Sequence, residues 1–136
     1  MHLSGCSILI STYNWLGALE LCLLSILKQT VLPNEIIIAD DGSTNETKNL
    51  IDSFRQKTST PIKHIWHKDD GFRKTIITNE AVRNSNYPYI IQTDGDIIMH
   101  KKFIEEHLQN ASEGFFIRGS RILLTEAVTK KYLQTK

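Results

Sequence analysis

The chain alternates short apolar runs with longer stretches of helical period. Ser7-Ile8-Leu9-Ile10 and Glu35-Ile36-Ile37-Ile38-Ala39 are continuously apolar or β-branched and end in polar turns, which predicts two buried strands. Between them Leu16, Leu19, Leu23 and Leu27 recur at spacings of three and four, which predicts a helix from Trp15 to Gln29, with Pro33 beyond its end. Ser43-Thr44-Asn45-Glu46 has the pattern of a capping box with Ser43 as cap, so a second helix is expected from Thr44 to Arg55. Ile62 to Trp66 follows Pro61 and reads as a third strand, and Tyr89-Ile90-Ile91-Gln92-Thr93 as a fourth. Arg73 to Arg83 reads as a helix weakened by its Thr and Ile content. Lys101 to Gln109 reads as a short helix, Phe115-Phe116-Ile117 as a fifth strand and Ile122 to Gln134 as a last helix.

Strands alternating with helices predict one α/β domain over residues 1–136, with a mostly parallel sheet and helices on both faces. Ligands of such sheets bind beyond the carboxyl ends of the strands. Polar residues gather there in four clusters: Ser11-Thr12-Tyr13-Asn14, Asp40-Asp41-Gly42-Ser43, His67-Lys68-Asp69-Asp70 and Asp94-Gly95-Asp96.

Composition narrows the function classes. At 136 residues and 40% hydrophobic, the chain is long enough to bury a core without staples. Its 16 Lys and Arg against 15 Asp and Glu give no electrostatic case for nucleic acid. Cys6 and Cys22 lie inside apolar runs and read as buried thiols of a reducing compartment. The apolar stretch Leu16 to Leu27 is too short to span a bilayer and contains Glu20, and the start lacks the regions of a signal peptide. A cytoplasmic protein is the expectation, with attachment to the inner face of a membrane left open.

Asp94-Gly95-Asp96 carries the most chemistry. Two carboxylates one residue apart after a strand can converge on Mg²⁺ or Mn²⁺, which take few protein ligands and complete their shell with phosphate oxygens. In isolation the same tripeptide is an acidic turn with Gly95 at positive φ. Its place after a buried strand, beside the other clusters, favours the site. A carboxylate in Asp40-Asp41-Gly42-Ser43 can accept from a base N–H or a ribose hydroxyl, while Ser43 lacks the surroundings of a nucleophile. Tyr13 either stacks on a base or packs under a loop. Arg73 or Lys74 could bind phosphate. The five histidines show no metal spacing, and no glycine-rich phosphate loop is present.

In this order, Ser7 to Asn14, Ser25 to Thr30, Glu35 to Ser43, Asn79-Glu80-Ala81 and Tyr89 to Asp96 resemble the GT-A-fold inverting glycosyltransferases of the large family that includes chondroitin- and cellulose-type synthases. The resemblance runs from about residue 6 to 110. It implies a Rossmann-like GT-A fold, a nucleotide-sugar donor, usually of UDP, and transfer to an acceptor hydroxyl with inversion. By the same resemblance Ser11, Thr12, Tyr13 and Asp41 hold base and ribose, and Asp40 supports their loop. Arg73 faces the nucleotide, Asp94 contacts ribose and assists the metal, and Asp96 ligates the cation. The acceptor would be a saccharide or a lipid-linked one.

The family's general base, a carboxylate well downstream of Asp96, has no counterpart in context: Glu113 and Glu126 are the only acidic residues after Glu106. The reading therefore expects the nucleotide-sugar half of a longer enzyme, incomplete at its C-terminus. The alternative is a non-catalytic nucleotide-sugar-binding module. A phosphatase of the aspartate-nucleophile type ranks below both, because its Asp-x-Asp follows the first strand rather than the fourth.

Overall fold

The computed structural model describes residues 3–135. Its elements are β1 (Cys6–Thr12), α1 (Leu16–Leu27), β2 (Glu35–Asp40), α2 (Asn45–Arg55), β3 (Ile62–Trp66), α3 (Lys74–Arg83), β4 (Tyr89–Asp94), α4 (Phe103–Asn110) and α5 (Glu126–Gln134). The four strands form one sheet in the order β3-β2-β1-β4, and every pair is parallel. The chain moves outward from β1 to β3 and then returns through α3 to the opposite side of β1. The switch in direction falls between β1 and β4, where an open α/β sheet forms its ligand crevice.

The middles of the central strands, Ile8-Leu9-Ile10 and Ile36-Ile37-Ile38-Ala39, are apolar because both of their faces are covered. Ile8, Ile10, Ile36 and Ile38 pack with Leu19, Cys22, Leu23 and Ile26 of α1, and with Ile51 and Phe54 of α2. Leu9, Ile37 and Ala39 point the other way and pack on Ile77 and Ala81 of α3. Helices thus lie on both faces, as the alternation of elements predicts. Both cysteines are free and buried; burial pushes the Cys6 thiol up to about 11 and the Cys22 thiol up to about 12. No helix among the described residues is long and apolar enough to cross a membrane.

Three sequence expectations need correction. Phe115-Phe116-Ile117 forms no strand; the two phenylalanines are 80% and 89% exposed, and β4 remains an edge of the sheet. A strand exists only where a neighbour takes its backbone bonds, and no element pairs with this segment. Ser43 does not cap α2. The N-cap is Thr44, without a side-chain bond, while the Ser43 hydroxyl accepts from the Asn14 N–H at 2.9 Å. The last helix starts at Glu126 rather than Ile122, because Thr125 caps it by accepting from the Val128 N–H.

At the sheet end away from the crevice, Glu35 is buried at 2% exposure. Its carboxylate accepts from the Ser7 hydroxyl (2.6 Å) and from the Asn86 N–H and side-chain amide, and pairs with Lys63 at 2.9 Å. It ties the loop before β4 to the three other strands. Burial would push this carboxyl up, but the bonds from Asn86, Ser7 and Lys63 outweigh burial and hold it below its ordinary value of 4.5. With the folded value depressed, the stabilisation is present above the unfolded value and is lost as pH falls through the folded one. Glu35→Gln should cost about 2–3 kcal/mol at neutral pH and flatten the acid dependence of stability below about pH 5. Urea midpoints equal to the wild type at pH 7 would contradict this role.

Candidate functional site

The register brings the polar strand ends level: Thr12 pairs with Asp40, and Ser11 with Asp94. Beyond them opens a cleft of about 400 Å³ whose walls include Ser11, Tyr13, Asp41, Asp69, Lys74 and Asp96. Thr12 and Asp94 line it as well. All predicted site residues except Arg73 therefore share one cavity.

The loops are stitched before any ligand arrives. Asn14 stands at φ 44°, a left-handed conformation that asparagine tolerates. There its N–H donates to Ser43 Oγ, and its side-chain oxygen accepts from the Thr44 N–H at 3.0 Å. Asp40 is fully buried; its carboxylate accepts from the Ser43 N–H at 2.8 Å and bonds His64 Nε2 at 2.7 Å. It supports the loop, as the sequence resemblance implies.

Asp41 is held from two sides. Oδ1 bonds His67 Nε2 at 2.6 Å, and Oδ2 accepts from the Arg73 N–H at 3.0 Å. Each carboxylate oxygen has a second lone pair, so the group can still accept from a ligand. His67 fixes the Asp41 carboxylate, a link that the sequence gives no sign of. Tyr13 is half exposed, and its hydroxyl donates to Asp69 Oδ2 at 2.9 Å, which strings the ring across the cleft from the β1 loop to the β3–α3 loop. Trp15 and Phe72 add two further exposed aromatic rings to the rim.

Arg73 enters the site through its backbone. Its side chain reaches Asp70 at 3.4 Å, its Nε is buried without a partner, and it does not line the cleft. Lys74 does line the cleft, where its Nζ lies 2.5 Å from Asp94 Oδ1. The two residues are adjacent in sequence, and only the phase of α3, which begins at Lys74, decides between them.

The Asp94-Gly95-Asp96 turn closes the cleft. Asp94 Oδ1 also accepts from Ser11 Oγ at 2.8 Å. The Lys74 ammonium, aided by the Ser11 hydroxyl, holds this carboxyl below its ordinary range. Gly95 is not at positive φ; its N–H donates to the Ser11 carbonyl at 2.8 Å, and a Cβ there would meet that oxygen at 2.9 Å. Close approach to β1, rather than left-handed backbone, is what requires glycine. The Asp96 carboxylate is exposed and makes no hydrogen bond or ion pair among the described residues.

No group of three His, Cys, Asp or Glu among the described residues could hold a metal unaided. Magnesium and manganese do not need one, since phosphate oxygens and water supply most of their ligands. An uncommitted Asp96 beside a preorganised Asp94 fits such an ion.

A family model described as Glycosyl transferase family 2 matches residues 7–134. Chondroitin synthase of Pasteurella multocida (strain Pm70) is 28% identical over 110 residues, which are 80% of this chain and 11% of that protein. Staphylococcal TarS 1–349 (S. aureus), solved in complex with UDP-GlcNAc, matches with a TM-score of 0.64 at 21% identity, over 77% of this chain and 30% of that one. The mannosyltransferase PcManGT of Pyrobaculum calidifontis, in complex with GDP-Man and Mn²⁺, gives 0.57 at 22% identity, over 67% and 27%. These structural likenesses establish the fold, and the chain spans less than a third of each of the three proteins.

Proposed function

Since the chain belongs to glycosyl transferase family 2, we propose that its cleft binds a nucleotide sugar, a UDP-sugar in particular, for transfer of the sugar to a saccharide or lipid-linked acceptor with inversion. The observation that carries this reading is the convergence of Tyr13, Asp41, Lys74, Asp94 and Asp96 on one cavity at the switch between β1 and β4. The UDP-GlcNAc and the Mn²⁺ named with the two structural neighbours support it.

Each side chain then has a task. The Tyr13 ring stacks on the base. Asp41, oriented by His67 and the Arg73 N–H, accepts from a base N–H or a ribose hydroxyl. Asp94, anchored by Ser11 and Lys74, reaches ribose, and Lys74 sets a positive charge beside the diphosphate. Asp96, with Asp94 next to it, would hold a magnesium or manganese ion. That ion, when bound, supplies charge neutralisation to the diphosphate and makes it a better leaving group.

The acceptor hydroxyl must lose a proton as it attacks the anomeric carbon. Among the described residues no carboxylate after Asp96 lines the cleft, and this reading assigns acceptor activation to a part of a longer protein. The same observation favours the second reading, a nucleotide-sugar-binding module that presents its ligand to another chain. Sugar transfer by a longer version, lost on Asp96→Ala, would separate the two.

Calorimetric titration of UDP and UDP-GlcNAc with and without Mn²⁺ tests the binding claim. Metal-dependent binding is expected, and no heat under either condition would refute it. Tyr13→Ala should weaken UDP about tenfold, the usual worth of one base–aromatic stack, and leave the metal dependence in place. Unchanged affinity would assign Tyr13 to loop packing alone.

A further inference from the structure

Arg121 lies in the segment between α4 and α5, which has no regular structure. It borders two hollows other than the nucleotide cleft. One runs along the outer edge of β4 and is lined by Arg121, Arg118 and Asp94. The other is lined by Arg121 together with Trp15, Ala18 and Asp96, three residues that also wall the cleft. Lys74 lines the cleft and neither of these two hollows. Lys74 thus borders the cleft at the Asp94-Gly95-Asp96 turn, and Arg121 borders the two neighbouring hollows that share Asp94 and Asp96 with it. Arg121 is exposed and makes no hydrogen bond or ion pair among the described residues.

Charge accounting gives that guanidinium a task. Asp94, Asp96 and the two phosphoryl groups of a nucleotide sugar together bring four negative charges. A divalent cation and Lys74 return three. Breaking the bond to the sugar leaves a further negative charge on the β-phosphate. A second protein cation beside the turn would balance the bound donor, and arginine matches phosphate oxygens through two parallel N–H bonds, which a lysine cannot do.

We propose that Arg121 is a donor-binding residue whose guanidinium grips the β-phosphate from beside the turn. This rests on the nucleotide-sugar reading of the cleft. Arg118 borders only the β4 hollow, away from Asp96, and has no such role.

The test is calorimetry with UDP and UMP in the presence of Mg²⁺ on the full chain, its Arg121→Ala and Arg121→Lys variants, and Arg118→Ala. Arg121→Ala should weaken UDP about tenfold and leave UMP, which lacks the β-phosphate, unchanged. Arg121→Lys should recover only part of the loss, and Arg118→Ala should match the wild type. Equal UDP affinity in Arg121→Ala, or equal losses for UDP and UMP, would overturn the inference while the nucleotide reading stands. If the wild type binds neither nucleotide, that reading falls first.

Discussion

Asp96→Ala is expected to bring the affinity for UDP in the presence of Mn²⁺ down to the affinity without it. The exposed Asp96 carboxylate makes no hydrogen bond or ion pair among the described residues, so its loss should leave the fold intact. Asp94 cannot replace it. Lys74 and Ser11 already hold Asp94 Oδ1, and moving that carboxylate toward a metal would strand the Lys74 ammonium. Removing one charged partner from a ligand contact costs about 2–5 kcal/mol when the contact is desolvated, and an open cleft puts Asp96 at the low end. The expected change is therefore at least about tenfold in the metal-bound titration, with the thermal midpoint kept. Equal binding curves for variant and wild type in Mn²⁺ would remove Asp96 from the site.

Gly42→Ala should do more damage, and to stability as well as binding. Gly42 sits at φ +99°, and a Cβ there would fall 2.5 Å from Asp69 Cα and 2.6 Å from Asp69 N. Those are backbone atoms, so no rotamer change relieves the clash; the β3–α3 loop must move. That loop carries Asp69, the partner of Tyr13, and the Arg73 N–H that steadies Asp41. Strained backbone plus displaced packing should cost about 2–4 kcal/mol, with UDP affinity lost in parallel. Gly71 is the control: it is also at positive φ (+75°), but nothing lies within 4 Å of its would-be Cβ. Gly71→Ala should cost only about 1 kcal/mol. Similar urea midpoints for the two variants would show that the Gly42–Asp69 contact does not constrain the loop.

The strands were legible because each central run is short, β-branched and closed by polar residues, a pattern that parallel strands buried on both faces require. The helix boundaries moved by up to four residues, which periodicity alone does not resolve. The strand order was not legible. Nothing local in Tyr89 to Asp94 says that β4 returns to the side of β1 away from β2, yet that return makes the Ser11–Asp94 bond. Phe115 to Ile117 has strand composition and no strand, since pairing is a property of two segments and not of one. Ser43 has the composition of a cap, but Asn14, distant in sequence, claims its hydroxyl. Tyr13, Asp41 and Asp96 were readable from type and position. Lys74 was readable only as an alternative to Arg73, because the choice depended on the phase of a helix, and the bond of His67 to Asp41 was not, because it is a contact across two loops.

The central claim is that residues distant in sequence form one donor cradle at the carboxyl ends of β1 and β4. Titrating the isotopically labelled chain with UDP and Mg²⁺, and following each backbone amide by NMR, tests it most directly. The shifts should concentrate at Tyr13, Asp41, Lys74 and Gly95 and leave Glu35 and Asn86, at the far end of the sheet, unmoved. Shifts centred on the Glu35 end, or none at the Asp94-Gly95-Asp96 turn, would contradict it.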